Sequence, residues 1–393
     1  MAAGGNISGK HSVIFSRMCV ILEDEGKRAE LNNEIENLMK RPEFDLYFTS
    51  HETIPQEQLD ALPTGLTFLR RGEELRDFIK NTSSKNEVVI ICGAVNEDMY
   101  VASSTKSFLI AAGWVETEPG VVKYGIPAPT PSKMTALIQI IANQTSWYYS
   151  CTFNDPVPTK VVSLCRANTY STSNDDEKAM AEAFQAILKD GNNNPVIKQA
   201  LICHLMAAIA HDPEFKDVQD WAVAPSSSTN PPQIMEELKE HVRCMMNGRK
   251  PEAIFLRHKT TNKSRFEGKD FRQSDDYCQK HFKSILVSEN YNKKLKNRVV
   301  CVFDDYLTHG NTFETLRNLL VECKVRKIIL VSIGKFMCNN ENMYRQKSFS
   351  ISGDVSTEHY TAKFESATQR NFYIDGHARR SLQHLSELAN YLK

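Results

Sequence analysis

The 393-residue sequence has no net charge to offer a polyanion: 48 lysines and arginines are matched by 48 aspartates and glutamates. Bulk electrostatics therefore favour neither nucleic acid nor a membrane surface as a partner. No apolar run approaches the roughly eighteen residues of a membrane-spanning helix, and the N-terminus lacks the profile of a signal peptide. Ten cysteines are scattered without a C-x-x-C pair or a Cys/His cluster at zinc spacing. Most lie inside apolar runs, as Cys92, Cys203 and Cys301 do, so buried free thiols in a reducing cytoplasm are expected. Internal repeats and heptads are absent. The nearest approach to a P-loop, GGNISGKH at Gly4–His11, precedes a strand and lacks Ser or Thr after the lysine. Residues 1–10 are expected to be a flexible leader.

What is there is alternation. His11–Leu22 reads as a strand, Lys27–Met39 as a helix, and Leu46–Ser50, Leu66–Arg70 and Val88–Cys92 as further strands. The last is a continuous apolar run suited to a buried parallel position. Pro119–Pro131 is rich in Pro and Gly. Lys160–Cys165 follows as a strand, then Asp175–Leu188 and Val196–Ala210 as helices, and a second α/β series runs from Trp221 to Ile333. The expectation is an α/β protein of two domains, 11–118 and 216–393, joined by a linking arm and helical segment at 119–215.

The stretch VVCVFDDYLTHGNTFETLRNLL, residues 299–320, is the most informative. Val299–Phe303 is too apolar for a solvent-facing strand and belongs in a parallel sheet, where ligands bind beyond the carboxyl ends. Asp304 and Asp305 fall at that end. Phe313, Leu316, Leu319, Leu320 and Cys323 recur at helical spacing and mark a buried face. The loop between them sits at a helix N-terminus, which favours an anion. Gly310 permits close approach of the backbone, and Thr308 and Thr312 offer hydroxyl donors. Two carboxylates beside an anion site make electrostatic sense if the ligand also brings hydroxyls or a cation. A sugar phosphate with magnesium satisfies both. The alternative is a turn in which Asn311 or Thr312 caps the helix.

DDYLTHGNT after an apolar strand resembles the phosphoribosyl-pyrophosphate (PRPP) motif of the type I phosphoribosyltransferases, matching at Asp304, Asp305, Thr308, Gly310 and Thr312 and departing at His309. The resemblance implies that Asp304 and Asp305 contact the ribose hydroxyls, directly or through magnesium carried by the substrate. It implies that Thr308, His309, Gly310, Asn311 and Thr312 wrap the 5′-phosphate. It implies a pyrophosphate loop at Asp220–Pro232, with Pro225, Ser226, Ser227 and Ser228. A basic loop at Arg257–Arg272 would carry Arg257, Lys259, Lys263 and Arg265. A base pocket is implied near Lys335 and Phe336. Thr308 stands where the 6-oxopurine enzymes carry an Asp general base, which argues against a plain purine-salvage role; His309 is the candidate replacement. A homodimer is what the family implies.

The first half more faintly resembles the haloacid dehalogenase (HAD) fold. SVIFSRMCV places Ser16 and Met18 at the paired Asp positions, LYFTS places Thr49 or Ser50 after the second strand, and in VVIICGAVNED Ala94 replaces the first Asp while Asp98 retains the last. Without its nucleophile carboxylate the domain would not run aspartyl-phosphate chemistry and would serve binding or assembly. Three functions follow as expectations. The first is magnesium-dependent transfer of a phosphoribosyl group or cleavage of a nucleotide, with an unknown acceptor. The second is a PRPP or nucleotide sensor without turnover. The third rests on the domain pairing, which resembles accessory proteins of bacterial stress and antiviral-defence operons, retrons included, and implies a nucleotide-targeting effector with an operon-encoded partner.

Overall fold

Two six-stranded sheets organise the computed structural model, which describes residues 10–84, 87–169, 175–226, 233–249, 252–260, 274, 277–337, 342–379, 385–386 and 389. The first sheet holds β1 (His11–Ser16), β2 (Phe44–Ser50), β3 (Thr67–Arg70), β4 (Val89–Gly93), β5 (Phe108–Ala112) and β6 (Ile126–Ala128). Their order is β3-β2-β1-β4-β5-β6, and every pairing is parallel. This is a doubly wound order that reverses between β1 and β4. Parallel strands covered on both faces need continuous apolar sequence, and β4 and β5 are buried at every position. The connecting helices are α1 (Arg17–Val20), α2 (Glu25–Met39), α3 (Gln56–Asp60), α4 (Glu73–Ser84), α5 (Asn96–Thr105), α6 (Pro119–Tyr124) and α7 (Pro131–Asn143).

The expected strand His11–Leu22 stops at Ser16. The apolar run continues because Cys19 and Val20 stay buried within the single turn of α1, which Ile21 N–H closes on Arg17 O at 2.9 Å.

Residues 119–215, expected as an arm, divide between the sheets. α6, β6 and α7 complete the first. β7 (Tyr149–Phe153) and β8 (Thr159–Arg166) enter the second, and α8 (Asp175–Lys189) and α9 (Pro195–His211) follow. The second sheet also holds β9 (Asp220–Val223), β12 (Val299–Leu307), β13 (Lys327–Lys335) and β16 (Tyr373–Ile374), in the order β16-β7-β8-β13-β12-β9. β8, β13, β12 and β9 are parallel; at one side β7 runs antiparallel to both of its neighbours, β8 and β16. Two antiparallel two-stranded sheets accompany it, β10 (Phe255–Arg257) with β11 (Ile285–Val287) and β14 (Tyr344–Ser352) with β15 (Thr361–Arg370). The remaining helices are α10 (Ile234–Met245), α11 (Tyr277–Phe282) and α12 (Asn311–Glu322).

A helix apolar on all sides has to be buried on all sides. In α9 every residue from Ala200 to Ile209 is buried, and the helix touches β5 and β6 of the first sheet and β8 of the second. One cluster of buried apolar residues therefore runs from Val13 on β1 to Val331 on β13, and a second, with Val300 and Val302 of β12 and Phe313 of α12, packs within the second half.

Candidate functional site at the carboxyl edge of the second sheet

The four parallel strands end on the same edge, so their following loops converge there. β12 extends beyond its apolar part through Leu307, with Asp304 opposite Ser332, Tyr306 opposite Gly334 and Leu307 opposite Lys335 on β13. The aspartate pair thus lies within the last turns of the ladder, not after it, and is held by strand pairing. Thr308–Gly310 bridges to α12. Gly310 has φ +77°, and a Cβ there would stand 2.9 Å from Cε2 of Tyr344, so the turn requires glycine. No side chain caps the helix at Gly310. Asn311 is engaged elsewhere: its Oδ1 accepts from Lys347 Nζ at 2.9 Å.

The floor of the loop is a buried polar network. Glu314 and Arg317, both fully buried, pair at 2.8 Å, and Glu314 also accepts from Tyr344 Oη at 2.7 Å and from the Lys347 backbone N–H at 2.8 Å. Arg317 and Asn318 both donate to the Lys347 carbonyl, at 2.7 and 2.9 Å. The network fastens β14 to the first two turns of α12. All five positions of the expected apolar face of α12, Phe313, Leu316, Leu319, Leu320 and Cys323, are buried.

The two carboxylates differ. Asp304 is half-buried, its Oδ1 accepting from the Asp305 backbone N–H at 2.9 Å. Burial, reinforced by the Asp305 charge and opposed by Lys189, pushes the Asp304 carboxyl up to about 8. Asp305 accepts from the Tyr306 N–H at 2.6 Å and forms an ion pair with Lys189 at the end of α8. The Lys189 ammonium also lies 5.3 Å from the centre of the Tyr306 ring. Burial pushes the Tyr306 phenol upward. Two adjacent carboxylates, one of them raised by burial and by the charge of the other, suit a hard divalent cation arriving with a substrate. Among the described residues, no group of three or more His, Cys, Asp or Glu side chains is placed to hold a metal.

Arg257, at the end of β10, donates to the Pro225 carbonyl at 2.9 Å and to Ser284 Oγ at 2.6 Å. Burial lowers its pKa, against the nearby Asp304 charge. Pro225 and Ser226 follow β9, and the bond to Pro225 places the Arg257 guanidinium at this edge, within reach of the Asp304 charge. Lys259 does not share those contacts: it is 60% exposed and pairs with Glu358 at 3.0 Å. Ser227, Ser228, Lys263 and Arg265 lie outside the described residues.

Lys335, expected at a base pocket, is instead buried beneath the loop. It is 2% exposed, its Nζ donates to the Thr308 carbonyl at 2.8 Å, and it stands 5.5 Å from the Tyr149 ring centre. β13 runs one residue past its apolar core, and this turns the Lys335 side chain inward. Phe336 is half-buried, its ring 5.1 Å from that of Tyr306.

Sequence reasoning missed Lys189. It lies 116 residues from Asp305, and its only local signal is a basic residue in the last turn of a helix, which the helix dipole explains equally well.

At the carboxyl edge of the first sheet, Ser16, Thr49, Ser50 and Ala94 are buried, while Met18 is 54% exposed. Asp98 accepts from the Ala94 and Val95 backbone N–H groups at 2.8 and 3.1 Å and forms a buried ion pair with Arg71. A Cβ on Gly93 would stand 2.5 Å from the Asp98 Cβ, so glycine is needed there for this carboxylate to reach back. Asp98 is committed to closing its own loop.

Compared with protein-family models, curated proteins and solved structures, the chain matches none. Among the described residues, no helix is long and apolar enough to cross a membrane.

Proposed function

We propose that the chain binds PRPP at the carboxyl edge of the second sheet and acts as a magnesium-dependent phosphoribosyltransferase-like protein, using or producing PRPP or cleaving a nucleotide. One observation carries the reading. Three separate segments converge there: the aspartate pair of β12 with the glycine turn that follows it, Pro225 after β9, and the Arg257 guanidinium, which bonds the Pro225 carbonyl and feels the Asp304 charge.

In this reading Asp304 and Asp305 accept hydrogen bonds from the 2′- and 3′-hydroxyls of the ribose. Thr308–Thr312 receives the 5′-phosphate through backbone N–H groups and the two threonine hydroxyls. Arg257 faces the pyrophosphate, where negative charge grows as the anomeric C–O bond breaks and the bond to the acceptor forms. Magnesium, when bound with the substrate, would neutralise pyrophosphate charge, with Asp304 and Asp305 as the protein oxygens suited to it. Lys189 must leave Asp305 for that, and a half-exposed ion pair costs at most about 1 kcal/mol to break.

The test is incubation with magnesium and PRPP across a panel of nucleobases, and in reverse with nucleotides and pyrophosphate. Pyrophosphate or free base should appear with the wild type and vanish in Asp304→Ala/Asp305→Ala. Binding without any product would favour a second reading, a PRPP or nucleotide sensor. The position of Lys335 supports that alternative, because it takes away the residue the family resemblance offered for holding a base. For the first sheet we infer binding or assembly without aspartyl-phosphate chemistry, because its remaining carboxylate, Asp98, is spent on Arg71 and two backbone N–H groups.

A further inference from the structure

The first sheet carries a cavity of about 240 Å³ at the carboxyl ends of β2 and β3, the edge where doubly wound sheets bind their ligands. Ile54, Leu59 and Phe68 form its apolar wall, and His51, Glu52 and Arg70 complete the lining. Strand geometry places the two groups that matter most. Side chains two apart on a strand share a face, so the Phe68 ring and the Arg70 guanidinium rise together from β3, on Cα atoms roughly 7 Å apart. Phe48 and Ser50 stand opposite them on β2. The Phe48 ring supports that of Phe68 at 5.2 Å between centres. Ser50 Oγ accepts from the Glu52 N–H at 3.1 Å, which turns the chain directly after β2.

The charge at this cavity is positive. Its one carboxylate, Glu52, is paired with Arg17 of α1. Among the described residues, the side chains of His51 and Arg70 have neither a hydrogen bond nor an ion pair. A neighbouring cavity of about 400 Å³ shares Leu59 and Phe68 but is lined by Asp60, so its charge is of the opposite sign. Phe68, on the edge strand, is left 43% exposed between the two. A ligand lying on this ring would bury apolar surface that folding leaves in water. The same ligand would meet the unpaired guanidinium one strand step further along. An anion carried directly on the ring is too close to reach it, whereas a sugar between ring and anion supplies the spacing. Arginine suits a phosphate, which it can hold bidentately. Stacking on an aromatic side chain accepts any base, because every base has a π-face.

We propose that this cavity binds a nucleoside 5′-monophosphate, with the base on Phe68 against Ile54 and Leu59 and the phosphate on Arg70. The inference rests on the binding role read for the first sheet, to which it gives a place and a ligand, and not on the PRPP reading of the second.

The experiment titrates the common ribonucleoside 5′-monophosphates calorimetrically into Asp304→Ala/Asp305→Ala protein, which silences the second sheet, and into the same protein carrying Arg70→Gln or Phe68→Leu. Wild type saturated with PRPP and magnesium is the background if the double variant fails to fold. Circular dichroism and thermal melts establish folding, which both first-sheet changes should preserve because each side chain is exposed. At least one monophosphate should bind, and its affinity should fall by about tenfold in Arg70→Gln and by about tenfold in Phe68→Leu. The corresponding nucleoside, without the phosphate, should not distinguish Arg70→Gln from its parent. No binding of any monophosphate to folded protein, or an affinity that either substitution leaves within about twofold, overturns the inference and leaves the PRPP reading standing. A wild type that binds a monophosphate through Arg70 and Phe68 but does not bind PRPP overturns the second-sheet reading alone.

Discussion

At Asp304 stability and the proposed PRPP binding pull in opposite directions. Its folded-state pKa, pushed up to about 8 by burial and by Asp305, lies well above that of an unfolded aspartate, about 3.9. The sign follows from linkage: the contribution is most favourable below pH 4 and is lost as pH rises through 8, because the folded state resists ionisation. Asp304→Asn should therefore leave the melting temperature at pH 8.5 unchanged or raise it, while weakening PRPP binding by about a hundredfold. Melts and titrations on the same preparation check both halves, and a destabilised variant that still binds would contradict the assignment. Gly310 gives a second test. Alanine would be forced to φ +77° and against a Tyr344 ring that cannot swing away, since its hydroxyl is bonded to buried Glu314. Gly310→Ala should cost about 2 kcal/mol in urea unfolding. At this scale the sequence was readable where the motif is contiguous. Asp304, Asp305 and Gly310 announce themselves by adjacency to an apolar strand. Lys189 and Lys335 do not, because one reaches Asp305 from a distant helix and the other is buried with its ammonium on the Thr308 carbonyl.

At the scale of elements, α12 and its partner β14 depend on a buried charge pair. Removing one partner strands the other in a fully buried site, so Glu314→Ala should cost about 3–5 kcal/mol. Replacing both, Glu314→Leu with Arg317→Met, should cost less than the single change, because no charge is left alone; urea unfolding of the three variants decides. A double variant worse than Glu314→Ala would mean the network does more than satisfy itself. Strands were legible here as apolar runs and helices by period, so most cores were found within a residue or two: Asp175–Leu188 against Asp175–Lys189, Lys160–Cys165 against Thr159–Arg166. Partnership was not legible. The β8 ladder with β13 joins residues 159–166 to 328–335, and nothing local in KVVSLC says which sheet it enters. The turn at Arg17–Val20 was hidden by the same logic, since a buried helical turn and a buried strand both read as apolar sequence.

The whole molecule is tied together by α9 and by histidines that the core keeps neutral. Burial lowers His204 and His281 to about 3 and His211 and His241 to about 4, all below the unfolded value of about 6.5. Above pH 6.5 the four rings are neutral in both states and their contribution to stability is at its full value. As pH falls from 6.5 towards 4 the unfolded chain takes up protons that the folded chain refuses, so stability is lost. Urea midpoints at pH 7.5 and pH 5.0 should differ, the lower pH giving the lower midpoint; equal midpoints would mean the four rings protonate in place. The α/β class was readable from alternation alone. How residues 119–215 divide between the sheets was not, because one apolar cluster spans both sheets and leaves no linker for composition to reveal.

The measurement that bears most directly on the central claim is calorimetric titration of PRPP with magnesium into the folded wild type and into Asp304→Ala/Asp305→Ala. The account predicts saturable binding to the wild type, weakened by about a hundredfold or more in the double variant. No binding to the folded wild type, or equal binding to both proteins, would contradict it.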